Sequence, residues 1–378
     1  RHDIGHPATW LTQGTAQVAK FRPSQAQQQH RRVCGPLGKV LQQIEDFDDG
    51  TVSANDCFRP VTRYFDRISR PEHLLTALPR ALRTMTDPTD FMALLEPFVN
   101  AFCQDVQAEA HDYPVDFFEP RVWRIRRPEP DPVDVAEVVA AIRAAKAPVI
   151  VSGGGVLYSG AEALLADFAA RRNIPLVETQ AGKGATAWEH PMNFGSPGVT
   201  GSACGNEACA AADLVIGVGT HFQAFTTGPW TVCDNPARRL VSINIHGYDA
   251  LKHGALGVLG DARSTIERID AALGDTRFAA ADGQARKDWH ATVAKVTAAP
   301  SKDANKLPSD AQVIGAVQRV ATASTVAMCA AGTMPGALQV LWQAAEGGYH
   351  MEYGYSCMGY EVAGAMGIKL AAPEKEVI

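Results

Sequence analysis

The chain has 378 residues, of which 46% are hydrophobic and 20% are charged, and its formal net charge is -6 at pH 7. This length suffices for about two to three domains that each bury a core. The acidic balance argues against a nucleic-acid partner, which needs a basic surface, and no run of about 18 apolar residues indicates a membrane span. The eight cysteines are scattered singly and lack the spacing of zinc ligands. The first thirty residues lack the apolar core of a secretory signal. We therefore expect a cytoplasmic protein with reduced thiols.

The N-terminal third of the sequence gives the weakest structural pattern. Residues 1–33 are rich in Gln and Arg and show little apolar periodicity, which predicts disorder. Residues 69–85 place apolar side chains at helical spacing, but Pro79 should kink or split that helix. The proline and charge density of residues 121–132 predict an interdomain linker.

Residues 130–275 alternate between helical and strand patterns. Asp131 is a plausible N-cap for a first helix with Pro132 at its first position, and Ser264 and Glu267 stand in capping-box spacing in the last helix. The short apolar runs between the helices are typical of buried parallel strands, and we expect them at 148–155, 174–179, 213–219 and 240–245. The pattern predicts an α/β fold with a doubly wound parallel sheet, that is, a Rossmann-like central domain.

A second α/β pattern begins at Ser309. We predict a helix over 310–322, a strand over 324–332, and a helix that has Thr333 as its N-cap. A glycine-containing loop, another helix and the first residues of a strand follow at the end of the chain. The fold class is therefore α/β with parallel sheets in two successive units.

The glycine run SGGGVLYSG (152–160) partly matches a dinucleotide-binding fingerprint. Tyr158 stands where the third glycine should be, while Glu178 lies near the place of a ribose-binding acid. A tight strand-to-helix turn is the preferred interpretation. The triplet around Lys183 (GKG) lacks the spacing of a phosphate-binding Walker loop.

Two later glycine loops, CAAGTMPG (329–336) and YGYSCMGYE (353–361), each join a predicted strand to a helix. Such loops present backbone N–H groups and the positive end of a helix dipole, which together favour anions. Their position on consecutive βα connections suggests that they hold one diphosphate from two sides.

Long strings of this sequence resemble the thiamine-diphosphate-dependent enzymes of inositol catabolism, from about Val40 to Ile378. They are VLQQIEDFDDGTVSANDCFRPVTRYFDRISRPEHLL (40–75), FCQDVQAEAHDYPVDFFEPRVWRI (102–125), VETQAGKGA (177–185) and HMEYGYSCMGYEVAGAMGIKLAAP (350–373). The resemblance implies three α/β domains. Residues 1–120 would be a remnant of the pyrimidine-binding domain, 130–275 the Rossmann-like central domain, and 309–378 the opening part of the diphosphate-binding domain.

The resemblance also implies cofactor-contacting residues. They are Gly332, Thr333 and Met334 in one loop and Gly354, Ser356, Met358 and Gly359 in the next. Related enzymes use the methionine that matches Met358 to prop the cofactor into its bent shape; packing in a core at the start of a helix is the structural alternative. His350, Glu352 and Tyr353 could face the substrate, although an ordinary structural role is equally open for each.

The sequence departs from the family at three points. The family's catalytic glutamate has no counterpart here, so no catalytic residue is assigned. The ligands of its Mg²⁺ would lie beyond Ile378, so no metal ligand is assigned either. Residues 1–33 and 90–100 do not resemble the family, and the latter replaces an expected strand. We therefore expect a chain truncated at both ends and inactive as a fragment.

By resemblance, the intact enzyme hydrolyses a C–C bond in a cyclic 1,2-dione, uses thiamine diphosphate and Mg²⁺, and forms a homo-oligomer. An acetolactate-synthase-like decarboxylase shares the architecture and is the competing hypothesis within the enzymes. Outside the enzymes, the sequence is also compatible with a non-catalytic nucleotide-binding module built on residues 130–275, or with a broken gene product that has no stable role.

Overall fold

A computed structural model describes residues 54–87, 98–102, 106–279, 281, 283–299, 307–330, 332–352 and 357–378. The chain divides into two compact units, one ending at Arg126 and one running from Arg127 to Ile378. All strand pairs in the described part of the chain are parallel. None of the described helices is long and apolar enough to cross a membrane. The disorder predicted for residues 1–33 falls outside the described residues.

In its described residues, the first unit has two parallel strands and one α-helix. They are β1 (Tyr64–Ile68), α1 (Leu74–Met85) and β2 (Phe98–Phe102), with short 3-10 helices at Ala54–Val61, Pro71–His73, Val106–Ala108 and Val115–Phe118. Contrary to our expectation, α1 continues through Pro79 without a break. Its buried face is made by Ala77 and Ala81, both fully buried, and this tertiary packing outweighs the hydrogen bond that proline removes.

The strand β2 also corrects an expectation. The sequence of residues 90–100 predicts the replacement of a strand, but Phe98–Phe102 forms one and pairs in register with β1, from Tyr64 opposite Phe98 to Ile68 opposite Phe102. The remainder of that stretch, residues 90–97, lies outside the described residues.

The second unit begins with a five-stranded α/β domain. Its elements are α2 (Pro132–Ala144), β3 (Pro148–Ser152), α3 (Gly154–Ser159), α4 (Glu162–Arg172), β4 (Leu176–Glu178), α5 (Ala203–Ala211), β5 (Leu214–Val218), α6 (Ala224–Thr227), β6 (Arg239–Asn244), α7 (Gly247–Leu251), β7 (Leu256–Leu259), α8 (Ala262–Leu273) and α9 (Gln284–Val296). The strand order is β4-β3-β5-β6-β7. Because the order reverses beside β3, crossovers lead to both faces, and the predicted doubly wound sheet is confirmed.

The strands of this sheet are continuously apolar in sequence because both faces of the sheet are buried. Ile150 and Ile216 belong to one buried cluster, whereas Val149, Val151 and Val215 belong to another. Alternate residues of a strand point to opposite faces, so a strand covered by helices on both sides must be apolar throughout.

Helix capping agrees with the sequence at one helix of this domain and not at another. The Asp131 side chain accepts a hydrogen bond from the Val133 N–H at 2.8 Å, as predicted for the start of α2. The prediction for the start of α8 is wrong, because the N-cap is Asp261 and Ser264 lies inside the helix. Asp261 accepts from the N–H groups of both Arg263 and Ser264, and a carboxylate is a strong N-cap.

The second unit ends with a three-stranded sheet and its helices. The elements are α10 (Asp310–Gln318), β8 (Thr325–Cys329), α11 (Thr333–Leu341), β9 (Tyr349–Met351), α12 (Tyr360–Ala371) and β10 (Glu376–Val377), and the strand order is β10-β8-β9. The predicted final strand is confirmed. The N-cap of α11 is Gly332 rather than Thr333, which is the first helical residue.

Candidate functional site

The two late glycine loops leave the same edge of one sheet. Strands β8 and β9 are paired in parallel, with Cys329 opposite Met351, so the connections that follow them begin side by side. In parallel α/β sheets the carboxyl ends of the strands are the usual ligand-binding edge. The structure therefore places the beginnings of the two late glycine loops side by side, and these are the loops that the sequence analysis predicts to bind one diphosphate.

Both helices that follow these loops begin at a glycine in the left-handed region. Gly332, before α11, has φ +110°, and Gly359, before α12, has φ +93°. A Cβ added at either glycine would meet no atom within 4 Å, so the space beside the backbone is open. Neither helix has a side-chain cap in the described residues, which leaves first-turn N–H groups available to an anion.

Two backbone N–H groups of the second loop donate hydrogen bonds to carboxylate side chains. The Gly359 N–H donates to a carboxylate oxygen of Glu361 at 2.9 Å, and the Cys357 N–H donates to Glu352 at 2.8 Å. These two N–H groups are therefore occupied within the fold. The part of the arrangement that fits a diphosphate group chemically is the pair of first turns of α11 and α12, which lack a side-chain cap.

The predicted cofactor-contacting residues fall into two groups. Thr333 and Met334 form the first turn of α11, and Met334 packs partly against the core of the small sheet. The side chain of Met358 is 85% exposed in the turn before α12, so the core-filler interpretation is wrong. Gly354 and Ser356 lie outside the described residues, as does Tyr353.

The two described substrate-facing candidates both have structural contacts. Nε2 of His350 lies 3.1 Å from the hydroxyl of Tyr360, and burial lowers the pKa of His350, which favours the neutral imidazole. The Glu352 carboxylate accepts the hydrogen bond from the Cys357 N–H. A substrate role for either residue stays a prediction.

A segment of the central domain also contacts this region, and sequence reasoning missed its role. We call residues 178–188 the 178–188 loop. The Gln180 side-chain amide donates to the Pro335 carbonyl in the first turn of α11 at 2.9 Å, and the Tyr349 hydroxyl donates to Gln180 at 3.1 Å. The same hydroxyl lies 3.1 Å from Sγ of Cys329, the last residue of β8. Backbone bonds from Gly347 to Gly184 and from Trp188 to Ala344 complete the contact.

Two buried ionisable side chains lie in the 178–188 loop. The Glu178 carboxylate accepts from the Thr186 N–H at 2.8 Å and from Nδ2 of Asn193 at 3.3 Å. Burial raises the pKa of Glu178 to about 7, and burial lowers the pKa of Lys183 to about 8, while each charge partly offsets the shift of the other. Because Glu178 is bonded within the loop, its interpretation as a ribose ligand is wrong.

The glycine run 152–160 forms a tight turn, as preferred from the sequence. The N–H groups of Gly153 and Gly155 donate to the carbonyls of Val218 and Gly219, so they are not available to a pyrophosphate. A Cβ at Gly153 would lie 2.2 Å from the Gly219 oxygen, so glycine is required for this close approach. The adjoining cleft encloses about 20 Å³, which is room for about one water molecule.

Two family models match parts of this chain. Residues 135–269 match the central domain of thiamine pyrophosphate enzymes, and residues 330–378 match their C-terminal TPP binding domain. In these two segments the chain is similar to the thiamine pyrophosphate enzymes. The first match coincides with the five-stranded sheet, and the second contains both late glycine loops.

Among curated proteins, the chain is similar to 3D-(3,5/4)-trihydroxycyclohexane-1,2-dione hydrolases. It is 40% identical over 361 residues to the protein of that name from Geobacillus thermodenitrificans, and 39% identical over 363 residues to the one from Clostridium perfringens. A third, from Bacillus cereus, is 39% identical over 366 residues. Each alignment covers 89% of this chain and 56% of the relative, so the chain spans about half the length of the curated relatives it matches.

Proposed function

We propose that this protein is a thiamine-diphosphate-dependent hydrolase that opens the ring of trihydroxycyclohexane-1,2-dione in myo-inositol catabolism. The observation that carries the proposal is the pair of glycine-started helices, α11 and α12, whose N-termini follow adjacent strands of one parallel sheet. The names of relatives at 40% and 39% identity support the substrate.

Within this proposal, each described loop residue has a role toward the cofactor. The backbone at Gly332 and Thr333 and the first turn of α12 after Gly359 would hold the diphosphate through N–H groups and helix dipoles. Met358, exposed beside Gly359, would contact the organic part of the cofactor. Bound thiamine diphosphate supplies a nucleophilic carbon and an electron sink for cleaving the C–C bond next to a carbonyl.

We also propose that Mg²⁺ accompanies the diphosphate, that the substrate is a small cyclic dione, and that the working enzyme is a cytoplasmic homo-oligomer. The six described cysteines are all free. In the described residues, no group of three or more His, Cys, Asp or Glu side chains is arranged to hold a metal ion. The proposal assigns no metal ligand in this chain.

The test places this sequence in a full-length relative. Residues 128–378 replace the corresponding segment of the Geobacillus thermodenitrificans protein, and the hybrid is assayed with the dione, thiamine diphosphate and Mg²⁺. We expect an open-chain acid whose mass equals that of the dione plus one water. A folded hybrid that binds the cofactor but leaves the dione unchanged would contradict the substrate, with the unmodified relative as control.

The same hybrid tests the decarboxylase hypothesis, for which pyruvate is the substrate and carbon dioxide the product. The hypothesis of a nucleotide-binding module loses its support, because the N–H groups of Gly153 and Gly155 are used within the fold and the adjoining cleft encloses only about 20 Å³.

A further inference from the structure

Two consecutive residues of β9 are linked by hydrogen bonds to the two helices that follow the late glycine loops. The hydroxyl of Tyr349 donates to the side chain of Gln180, whose amide donates to Pro335 in the first turn of α11. Nε2 of His350, the next residue, lies 3.1 Å from the hydroxyl of Tyr360, the first residue of α12. Because successive side chains of a strand point to opposite faces, β9 reaches both helices, one from each side.

The sheet topology agrees with this division of contacts. In the strand order β10-β8-β9, the connection through α11 runs from β8 to β9, and the connection through α12 runs back from β9 to β10. Right-handed crossovers in opposite directions place their helices on opposite faces of the sheet. A single strand therefore lies between the helix starts that the proposed cofactor site combines.

The contact between His350 and Tyr360 is supported by packing. A Cβ added at Gly364, one turn further along α12, would clash with Cε1 of Tyr360 and with Cε of Met328, so the glycine leaves room for both side chains. Met328 is the residue of β8 that stands opposite His350. The Tyr360 ring thus packs between the backbone of α12 and the sheet, with its hydroxyl directed at His350.

The two side chains meet as neutral groups. Burial lowers the pKa of His350, and burial together with the charge of Glu352 raises the pKa of Tyr360. A neutral imidazole and a neutral phenol form a hydrogen bond without the cost of burying a charge. The bond therefore holds the helix to the strand at neutral pH.

We propose that His350 is a positioning residue, which acts through Tyr360 to hold the start of α12 against β9 at a fixed separation from the start of α11. The inference deepens the proposed function and rests on it, because a site that is built on two helices works only when both are held in place. The bond joins residues ten positions apart, so it also fixes the two ends of the connection that contains Met358.

The first experiment measures hydrogen exchange in the purified chain by mass spectrometry. Tyr360→Phe removes only the hydroxyl, and Tyr248→Phe makes the same change at a tyrosine of α7 that is 73% exposed. Exchange at residues 361–371 should become about threefold faster or more in Tyr360→Phe and stay unchanged in Tyr248→Phe. Exchange at residues 333–341, in α11, should stay unchanged in both variants.

Two substitutions of His350 test whether the hydrogen bond itself is responsible. His350→Gln retains a side-chain nitrogen that can bond to the Tyr360 hydroxyl, whereas His350→Leu retains only an apolar side chain. Exchange in α12 should be close to wild type in His350→Gln and as fast in His350→Leu as in Tyr360→Phe. The double variant His350→Leu, Tyr360→Phe should be no faster than either single variant, since all three lose the same bond. Additive effects would overturn the proposal.

The second experiment measures thiamine diphosphate binding to the hybrid enzyme by calorimetry. Tyr360→Phe should weaken binding about tenfold, and Tyr248→Phe should leave it unchanged. A bond with a merely structural role would slow exchange in α12 without affecting cofactor affinity, so equal affinity of Tyr360→Phe and wild type would overturn the proposal, as would unchanged exchange in that variant. Neither measurement depends on dione hydrolysis, so the substrate and the positioning role can fail separately.

Discussion

The side-chain amide of Gln180, in the central domain, donates a hydrogen bond of 2.9 Å to the main-chain carbonyl of Pro335, in the first turn of α11. Gln180 is 6% exposed and also accepts a hydrogen bond from Tyr349. The glutamine thus fixes the start of α11 to the central domain and to β9. The cofactor loop is therefore positioned by residues that precede it by about 150 positions in the sequence.

Gln180→Ala should loosen the first turn of α11. The substitution leaves the Pro335 carbonyl and the Tyr349 hydroxyl without this partner, which costs about 1–3 kcal/mol in a buried site. Hydrogen exchange of the amides in residues 333–341 should become faster, as measured by mass spectrometry. Gln284→Ala, on the exposed surface of α9, is the control and should leave these amides unchanged; unchanged exchange in Gln180→Ala would contradict the positioning role.

Arg172→Met should strongly destabilise the central domain. The guanidinium of Arg172 is 2% exposed and donates to the carbonyls of Gly274 and Thr276 and to Asp270. Removing one partner of a buried ion pair costs about 3–5 kcal/mol. Urea denaturation followed by circular dichroism measures the loss.

The neighbouring residue provides the matched control for that prediction. Arg171 also pairs with Asp270, at 2.7 Å, but its side chain is 47% exposed. Arg171→Met should therefore lower the free energy of unfolding by no more than about 1 kcal/mol. Similar losses in the two variants would show that burial of Arg172 is not the decisive factor.

The buried pair in the 178–188 loop predicts a pH dependence of stability in two steps. The pKa of Glu178 is raised from 4.5 to about 7, so the folded state retains a proton that the unfolded state releases, and stability should fall between those pH values. The pKa of Lys183 is lowered from 10.5 to about 8, so the folded state releases its proton first, and stability should rise between pH 8 and 10.5.

The measurement is the free energy of unfolding across this pH range for wild type and for the Glu178→Gln, Lys183→Met double variant. The difference between the two proteins removes the contribution of other titrating groups. We expect the stability of wild type minus that of the double variant to decrease between pH 4.5 and about 7 and to increase between about pH 8 and 10.5. A difference that stays constant with pH would contradict the assignment of the shifts to this pair.

The variant Met358→Ala should weaken cofactor binding without changing the stability of the fold. The Met358 side chain is 85% exposed, so its truncation should change the free energy of unfolding of the chain by less than about 0.5 kcal/mol. In the hybrid enzyme the same substitution should weaken thiamine diphosphate binding, measured by calorimetry, because a contact to the cofactor is lost. Unchanged cofactor affinity would leave Met358 without the role implied by resemblance.

The sequence predicts secondary structure well where that structure depends on neighbouring residues alone. Apolar runs too short for helices predict β3, β5 and β6 to within a few residues, since strands buried on both faces must be apolar throughout. The same reasoning misses β7 (Leu256–Leu259), a short edge strand that glycine interrupts, and it assigns the wrong N-cap to α8. Pro79 predicts a helix break, although the tertiary burial of Ala77 and Ala81 keeps the helix whole.

By itself, the sequence determined the parallel α/β architecture and the two glycine loops, because strand period, turn chemistry and glycine spacing are encoded locally along the chain. Only the tertiary structure decided that Gln180 of the central domain contacts Tyr349 in β9 and Pro335 in the first turn of α11. Such contacts depend on how two sheets pack, and packing joins residues that are distant in sequence and leave no periodic signal in it.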